Sequence, residues 1–424
     1  MSKKRAFEWA KTALLVILLA SAMFLGWRTE LLNDFFGDLP LFGSVAGLVQ
    51  DSPVAETVGV IAKEAARPLT IVIIGEDGGR FAVRYDTDAR NSAYERTRSI
   101  LAEALGSASA PVEISENQWR AALSGPGVYY EYATPVRLSV LGGWLGTRMP
   151  DITEDSLLRR VYVEFGRERN RIYIQDYDSG LFYGADAATS AERAQELGTY
   201  VPNDAQFAFE TAIQAADSAP YMVIMPGNIH PDVSADFSGS AEELLNIVLD
   251  ALGHGDEMNT IGYDAGGALV SIGTQFRVII NPDGRVLYRR TDGLPPIGLG
   301  PAPDEGGLIE LARIIVAETI GLGGDAEVFF ESFEYDQDDN GVVTFGYYIA
   351  GGRVHLREDR HAARITFSEA MAIDVELNFR TFTQTADHTT MLPELQALAA
   401  ARGEFKLSYS DTGPDRLQPF WEKT

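Results

Sequence analysis

The 424-residue chain contains no cysteine. That absence removes disulfides, thiol catalysis and cysteine-ligated zinc together. It suits a protein exported to fold without oxidative help, although many cytosolic proteins share it. Lysine is scarce as well, standing only at 3, 4, 11, 63, 406 and 423, so positive charge is carried almost entirely by arginine. Positive charge of both kinds is outnumbered, 35 Lys and Arg against 61 Asp and Glu, for a formal net charge of -26. Such a surface repels phosphates, and no basic, aromatic-interleaved stretch reverses the sign locally. Nucleic acid is therefore excluded as a partner. Histidine occurs only at 230, 254, 355, 361 and 388.

Apolar residues are plentiful, at 46% with 10% aromatic. A chain of this length with that content buries two or three cores rather than one, and disorder is confined to its ends. Between Lys11 and Arg28 every residue is uncharged, whereas Lys3, Lys4, Arg5 and Lys11 crowd the N-terminal side. The pattern predicts a single transmembrane helix over 12–27 with residue 1 in the cytoplasm and the bulk of the chain outside the cell membrane. Trp9 and Trp27 bracket the span ~27 Å apart along a helix, close to the hydrocarbon thickness, as interfacial anchors. Ala20-Ser21-Ala22 has the small-x-small form of a signal-peptidase site. Cutting there would leave the apolar Met23 to Trp27 as a new terminus, so the segment reads as a retained signal anchor. Ser21, Ala22 and Gly26 are the candidates for close helix–helix contact, the last two forming a small-xxx-small pair.

The remainder reads as an α+β chain of antiparallel sheets with packed helices. After the cytoplasmic tail (1–11) and the span comes an amphipathic juxtamembrane segment (28–68). An outer α+β domain follows over 69–238, opened by the strand–turn–strand "LTIVIIGEDGGRFAVRYD". Helical spacing runs from Ser92 to Leu105, and Ser115 with Gln118 forms a capping box for a short second helix. The C-terminal half carries a weak repeat of a helix followed by a strand meander, first over 239–293 and again over 305–385. A Pro/Gly-rich acidic linker (294–304) separates the copies, and a last helix and strand occupy 386–424.

Chemistry is harder to find. "DQDDNG" (Asp336–Gly341) starts like a calcium loop, but the position of the bidentate glutamate is Tyr347 and the flanks are strands, so it reads as an Asn-Gly hairpin. His355, Glu358 and His361 in "HLREDRH" lack metalloprotease spacing and alternate faces on a strand. No G-x-S-x-G or S-x-x-K occurs, Ser179 reads as a turn residue, and "GEDGG" is not a phosphate cradle because no helix with Lys-Ser/Thr follows. With so many acids, carboxylate pairs are cheap. No catalytic, cofactor or metal residue is assigned.

The basic N-terminus with one span, then "NQWRAALSGPGVYYEYATPVRLSVLGGWLG" and "FRVIINPDGRVLYRRTD", resembles the YycH family of membrane-anchored regulators. The later "GYYIAGGRVHLREDRHAARITFSEAMAIDVELNFRTF" and the closing "PFW" are similar to YycI and PepSY-like relatives. The resemblance implies a regulator, not an enzyme, that contacts the sensor histidine kinase of the cell-wall homeostasis two-component system (WalK, or YycG) and a YycI-like membrane protein. It places the contact in the membrane helix. Two other readings are an anchored envelope hydrolase using a carboxylate pair and a PepSY-like inhibitor or scaffold.

Overall fold

The computed structural model describes residues 63–147, 156–166, 169–189, 197–213, 219–227, 229–237, 239–255, 257–291, 303–321, 324–368, 370–401, 403–411 and 416–423. The expected membrane span, with Trp9 and Trp27, and the linker up to residue 302 lie outside these residues. Among them, no helix is long and apolar enough to cross a membrane.

In chain order the first half comprises β1 (Thr70–Ile74), β2 (Arg80–Val83), α1 (Thr87–Gly106), β3 (Val112–Ile114), α2 (Glu116–Ala122), β4 (Gly127–Arg137), α3 (Leu138–Leu145), β5 (Leu157–Glu164), β6 (Asn170–Asp176) and β7 (Phe182–Ala187). These strands form one seven-stranded sheet in the order β2-β1-β4-β5-β6-β7-β3. Helix α1 starts at Thr87, five residues before the expected Ser92, because the Asp86 carboxylate caps it by accepting from the Ala89 amide. Apolar spacing alone does not register such a polar first turn. The capping box of Ser115 and Gln118 starts α2 as expected, and Gly146, at φ 67°, closes α3 in the left-handed region.

Strand alternation gives this sheet two distinct faces. The row Ile71–Tyr130–Val161–Ile174 runs across β1, β4, β5 and β6 under α1, and the Tyr130 hydroxyl donates to the Thr97 carbonyl at 3.0 Å. The opposite face carries Val72–Tyr129–Tyr162–Tyr173. It is covered by the segment holding β8 (Gln206–Phe207) and β9 (Val223–Ile224), where Phe207 packs edge-on to Tyr129 at 5.1 Å. Trp119, fully buried, closes one end against Phe182 and Tyr221. Burying each such aromatic side chain contributes about 2–3 kcal/mol.

The chain continues through β10 (Pro231–Asp236), α4 (Ala241–Ala251), β11 (Thr260–Tyr263), β12 (Leu269–Ile272), β13 (Phe276–Ile280), β14 (Arg285–Arg290), α5 (Glu305–Thr319), β15 (Glu327–Tyr335), β16 (Gly341–Ile349), β17 (Gly352–His355), β18 (Ala363–Ser368), β19 (Met371–Asn378), β20 (Thr381–His388), α6 (Glu394–Ala401), β21 (Phe405–Ser410) and β22 (Pro419–Lys423). Eleven of these strands form the second sheet, from β11 at one edge through β14 and β19 to β22 at the other, with β15 alongside β16. The two helix-and-meander segments of the repeat thus contribute to one sheet, joined where β14 pairs with β19. Strand β16 is buried along its whole length because β15 lies on one side while β18 and β17 share the other. The last segment adds α6 and the β21–β22 hairpin, with β21 parallel to β17. The apolar run "YMVIM" (221–225) keeps only the two residues of β9 in a ladder.

Ion pairs and hydrogen bonds tie the two sheets together. Glu327 at the start of β15 takes Arg67 at 2.7 Å and also Arg90, while Thr134 donates to the Phe330 carbonyl at 2.8 Å. The Trp144 indole of α3 donates to Glu310 of α5 at 3.2 Å, and Arg313 closes on the same buried carboxylate at 2.5 and 2.7 Å.

Candidate functional site

The densest polar chemistry lies on the face of the first sheet turned away from α1. Register places Thr70, Glu131, Arg160 and Gln175 in one row across β1, β4, β5 and β6, with Arg84 continuing it beyond β2. Glu131, buried amid the aromatic run "GVYYEYA", is the centre. Arg160 approaches it at 2.9 Å and Arg84 at 3.3 Å. Arg84 also donates to Thr70 at 2.7 Å, and Arg160 to Gln175 at 3.3 Å. Burial pushes the Glu131 carboxyl up, but Arg160, Arg159 and Arg84 together outweigh it and hold it below the usual carboxylate range.

The C-terminal segment closes over this row. Glu404, just before β21, takes Arg159 at 2.5 Å and Arg160 at 3.3 Å. Glu394, the first residue of α6, accepts from the Tyr85 hydroxyl and from the Met225 amide at 2.5 Å. Its carboxyl is raised, because burial outweighs the favourable charge of Arg84 and those hydrogen bonds. His230 sits beside it, edge-on to Tyr85 at 4.5 Å and to Trp421 at 5.3 Å. Its Nδ1 is buried without a hydrogen-bond partner. Burial, and then the neighbouring Arg84 charge, push the imidazole down to about 4, so it is neutral above that pH. Three stretches far apart in sequence meet here: Tyr85 just after the end of β2, Met225 with His230, and Glu394 of α6 with Trp421 of β22.

The Glu131 carboxylate is closed by guanidinium groups, whereas Glu394 is held by the Tyr85 hydroxyl and the Met225 amide, and Tyr85 is pushed well above its ordinary range by burial and the Glu394 charge.

Elsewhere the histidines stay apart. His355 in β17 pairs with Glu422 at 2.8 Å, whereas His361 pairs with Glu331 at 3.1 Å. The turn between them holds Glu358 and Asp359 at φ 58° and 53° and separates two clefts of about 440 and 250 Å³. His254 is buried between Glu257 (2.8 Å) and Tyr288 (3.0 Å). Among the described residues no three His, Asp or Glu side chains converge as metal ligands. "DQDDNG" is the β15–β16 hairpin, where Asp336 accepts from the amides of Asp338 and Asn340 at 2.9 Å each. Ser179 is a turn residue bonded to Asp176 at 2.6 Å.

The residues singled out for helix contact (Ser21, Ala22, Gly26), interfacial anchoring (Trp9, Trp27) and orientation (Lys3, Lys4, Arg5, Lys11) lie outside the described residues, so the structure brings none of them together. No protein-family model matches the sequence, and no curated protein matches it. Among solved structures, the crystal structure of YycH from Bacillus subtilis matches with a TM-score of 0.50 and 12% identity, over 85% of this chain and 94% of that one. The chain has a YycH-like fold. At that identity the likeness is carried by the path of the backbone.

Within this YycH-like fold, sequence reasoning missed the polar row and the Glu394–His230 junction. One signal was available. Glu131 stands two residues from Tyr129, and Arg159-Arg160 interrupts an otherwise apolar strand, so one arginine of that pair must point inward. An inward acid and an inward base on neighbouring strands are a recognisable pair.

Proposed function

We propose that this chain is a membrane-anchored, extracytoplasmic regulator of a sensor histidine kinase of the WalK (YycG) type, and not an enzyme. On this reading residue 1 is cytoplasmic and residues 12–27 span the cell membrane. The region from 69 onward is outside, divided near 238 and between 293 and 305. A YycI-like membrane protein is the second partner. The observation that carries the reading is the YycH-like fold over 85% of the chain. The basic N-terminus ahead of one uncharged run supports it independently.

Regulation requires that the chain bind two kinase states unequally, since a subunit that binds both equally shifts nothing. Two features fit that requirement. Ala22 and Gly26 permit close approach of a second membrane helix. The Glu327 ion pairs with Arg67 and Arg90 and the Trp144–Glu310 hydrogen bond join the two sheets, which fits an outer region that moves as one body.

The test is detergent co-purification from native membranes of the tagged full chain beside one in which an unrelated apolar helix replaces 12–27. Recovery of a sensor kinase with the native chain and its loss on the swap is the expected result. Equal recovery with both would move the contact to the outer region, as for a scaffold. Absence of any kinase, together with turnover of wall polymer that one Asp or Glu substitution abolishes, would replace regulation with hydrolysis.

A further inference from the structure

The larger sheet ends at β11, and among the described residues nothing pairs with that strand's outer edge. All four residues of β11 are exposed. The Asp264 amide donates to the Ala268 carbonyl at 2.9 Å. Because antiparallel bonding alternates, Thr260 and Gly262 turn their amides to β12 while Ile261 and Tyr263 present theirs outward. Natural proteins blunt such an edge with lysine, proline or a bulge. Here the register with β12 has no shift, and neither lysine nor proline stands between Asn259 and Gln275. Large apolar side chains are exposed instead, with Met258 at 92%, Tyr263 at 61%, Ile272 at 55% and Ile261 at 49%.

Charge decides what could lie there. From Pro231 to Phe276 the sequence holds no lysine or arginine, but it holds Glu242, Glu243, Asp250, Glu257 and Asp264 around this edge. Helix α4 packs on the face that Tyr263 shares, and its first-turn Glu242 accepts from the Tyr263 hydroxyl. Antiparallel pairing of β11 with a second copy through its outward amides, Ile261 opposite Ile261, would bring Glu257 of one chain diagonally beside Asp264 of the other, acid beside acid, with the nearest arginines, Arg277 and Arg290, on the inner strands β13 and β14. A strand with basic flanks meets the opposite situation.

We propose that β11 is a docking edge for an extended segment of another protein, a strand of alternating apolar residues flanked by lysine or arginine. It binds by strand addition. The amides and carbonyls of Ile261 and Tyr263 supply the ladder, the exposed Ile261 and Tyr263 side chains, which share one face, take the apolar side chains of the incoming strand, and the acids at the ends of β11 select the flanks. The inference does not depend on the anchor or on a kinase.

Amide hydrogen exchange on the full chain tests it, with a nine-residue peptide in which three valines alternate with two threonines between paired lysines. The outward amides of Ile261 and Tyr263 are expected to exchange rapidly in the free chain. The peptide should slow them at least tenfold, with the effect shrinking as salt rises, and the version with glutamates for lysines should leave them unchanged. Ile261→Pro removes one outward amide and should abolish the slowing, with β13 and α4 protected as in the wild type. Ile261→Lys, which keeps the strand and repels the flanks, should weaken it as well. Slowing by the glutamate peptide, slowing that survives both variants, or no slowing at millimolar lysine peptide overturns the proposal. So does protection of the Ile261 and Tyr263 amides in the chain alone, which would mean that its own chain or a second copy already fills the edge.

Discussion

Acidification should loosen the junction at His230, and the size of the effect follows from its surroundings. In the unfolded chain the imidazole titrates near 6.5, while in the folded chain burial and Arg84 hold it down to about 4. Between those values the unfolded state binds the proton and the folded state refuses it, so stability rises with pH across this window. The contribution is complete above about pH 6.5 and is lost as pH falls toward 4. Its full size, for a fall from 6.5 to about 4, is about 3 kcal/mol. Glu394 works in the other direction, because burial raises its carboxyl; its contribution is present at low pH and is lost as pH rises through its folded value. The two must be separated by substitution. His230→Phe keeps a ring against Tyr85 and Trp421 but cannot titrate, and Glu394→Gln removes the opposing group. Urea unfolding of the full chain at about pH 7, 5.5 and 4 measures the slopes. Wild type should lose about 2–3 kcal/mol more than His230→Phe between the extremes. The emission of Trp421, whose ring centroid is 5.3 Å from that of His230, should change over the same range. Equal slopes in wild type and His230→Phe would refute the reasoning.

Glu131→Gln leaves Arg84 and Arg160 buried without their shared countercharge and should cost about 3–5 kcal/mol, read as a fall in thermal midpoint. By contrast, Arg169→Ala removes the exposed pair with Asp186 and should change stability by less than about 0.5 kcal/mol in the same assay. Gly284 stands at φ 85°, where an added Cβ would come within 2.6 Å of both the Phe379 carbonyl and the Phe237 ring. Gly284→Ala should therefore destabilise by more than about 1 kcal/mol, measured by denaturant midpoint. Trp144→Phe takes one donor from the buried Glu310, which keeps Arg313, and should cost about 1–3 kcal/mol in the same measurement.

Local structure was legible wherever the signal was itself local. The capping box of Ser115 and Gln118, the helix after Ser240 and the Asn340-Gly341 hairpin each sit inside a few residues of sequence, and each formed as read. The mixed α+β character was legible for the same reason. Pairings across long separations were not. The β14–β19 join, the parallel β17–β21 pair and the covering of Glu131 by Glu404 link residues far apart, and hydrophobic periodicity carries no information about which strand lies beside which. His230 illustrates the limit at a single residue. A lone histidine in "GNIHPDV" looks like a surface loop residue, and only the approach of α6 and β22 buries it.

The central claim is that the helix at residues 12–27 contacts a sensor kinase. The lack of native cysteine makes Ala22→Cys and Gly26→Cys unique attachment points for a thiol-linked benzophenone. Photo-crosslinking in native membranes, with mass spectrometry of the adducts, is the most direct measurement. The account predicts an adduct to a membrane helix of a sensor histidine kinase from position 22 or 26, and none from a cysteine placed on the opposite face of the span. Adducts to lipid or to the chain itself from every position would contradict it.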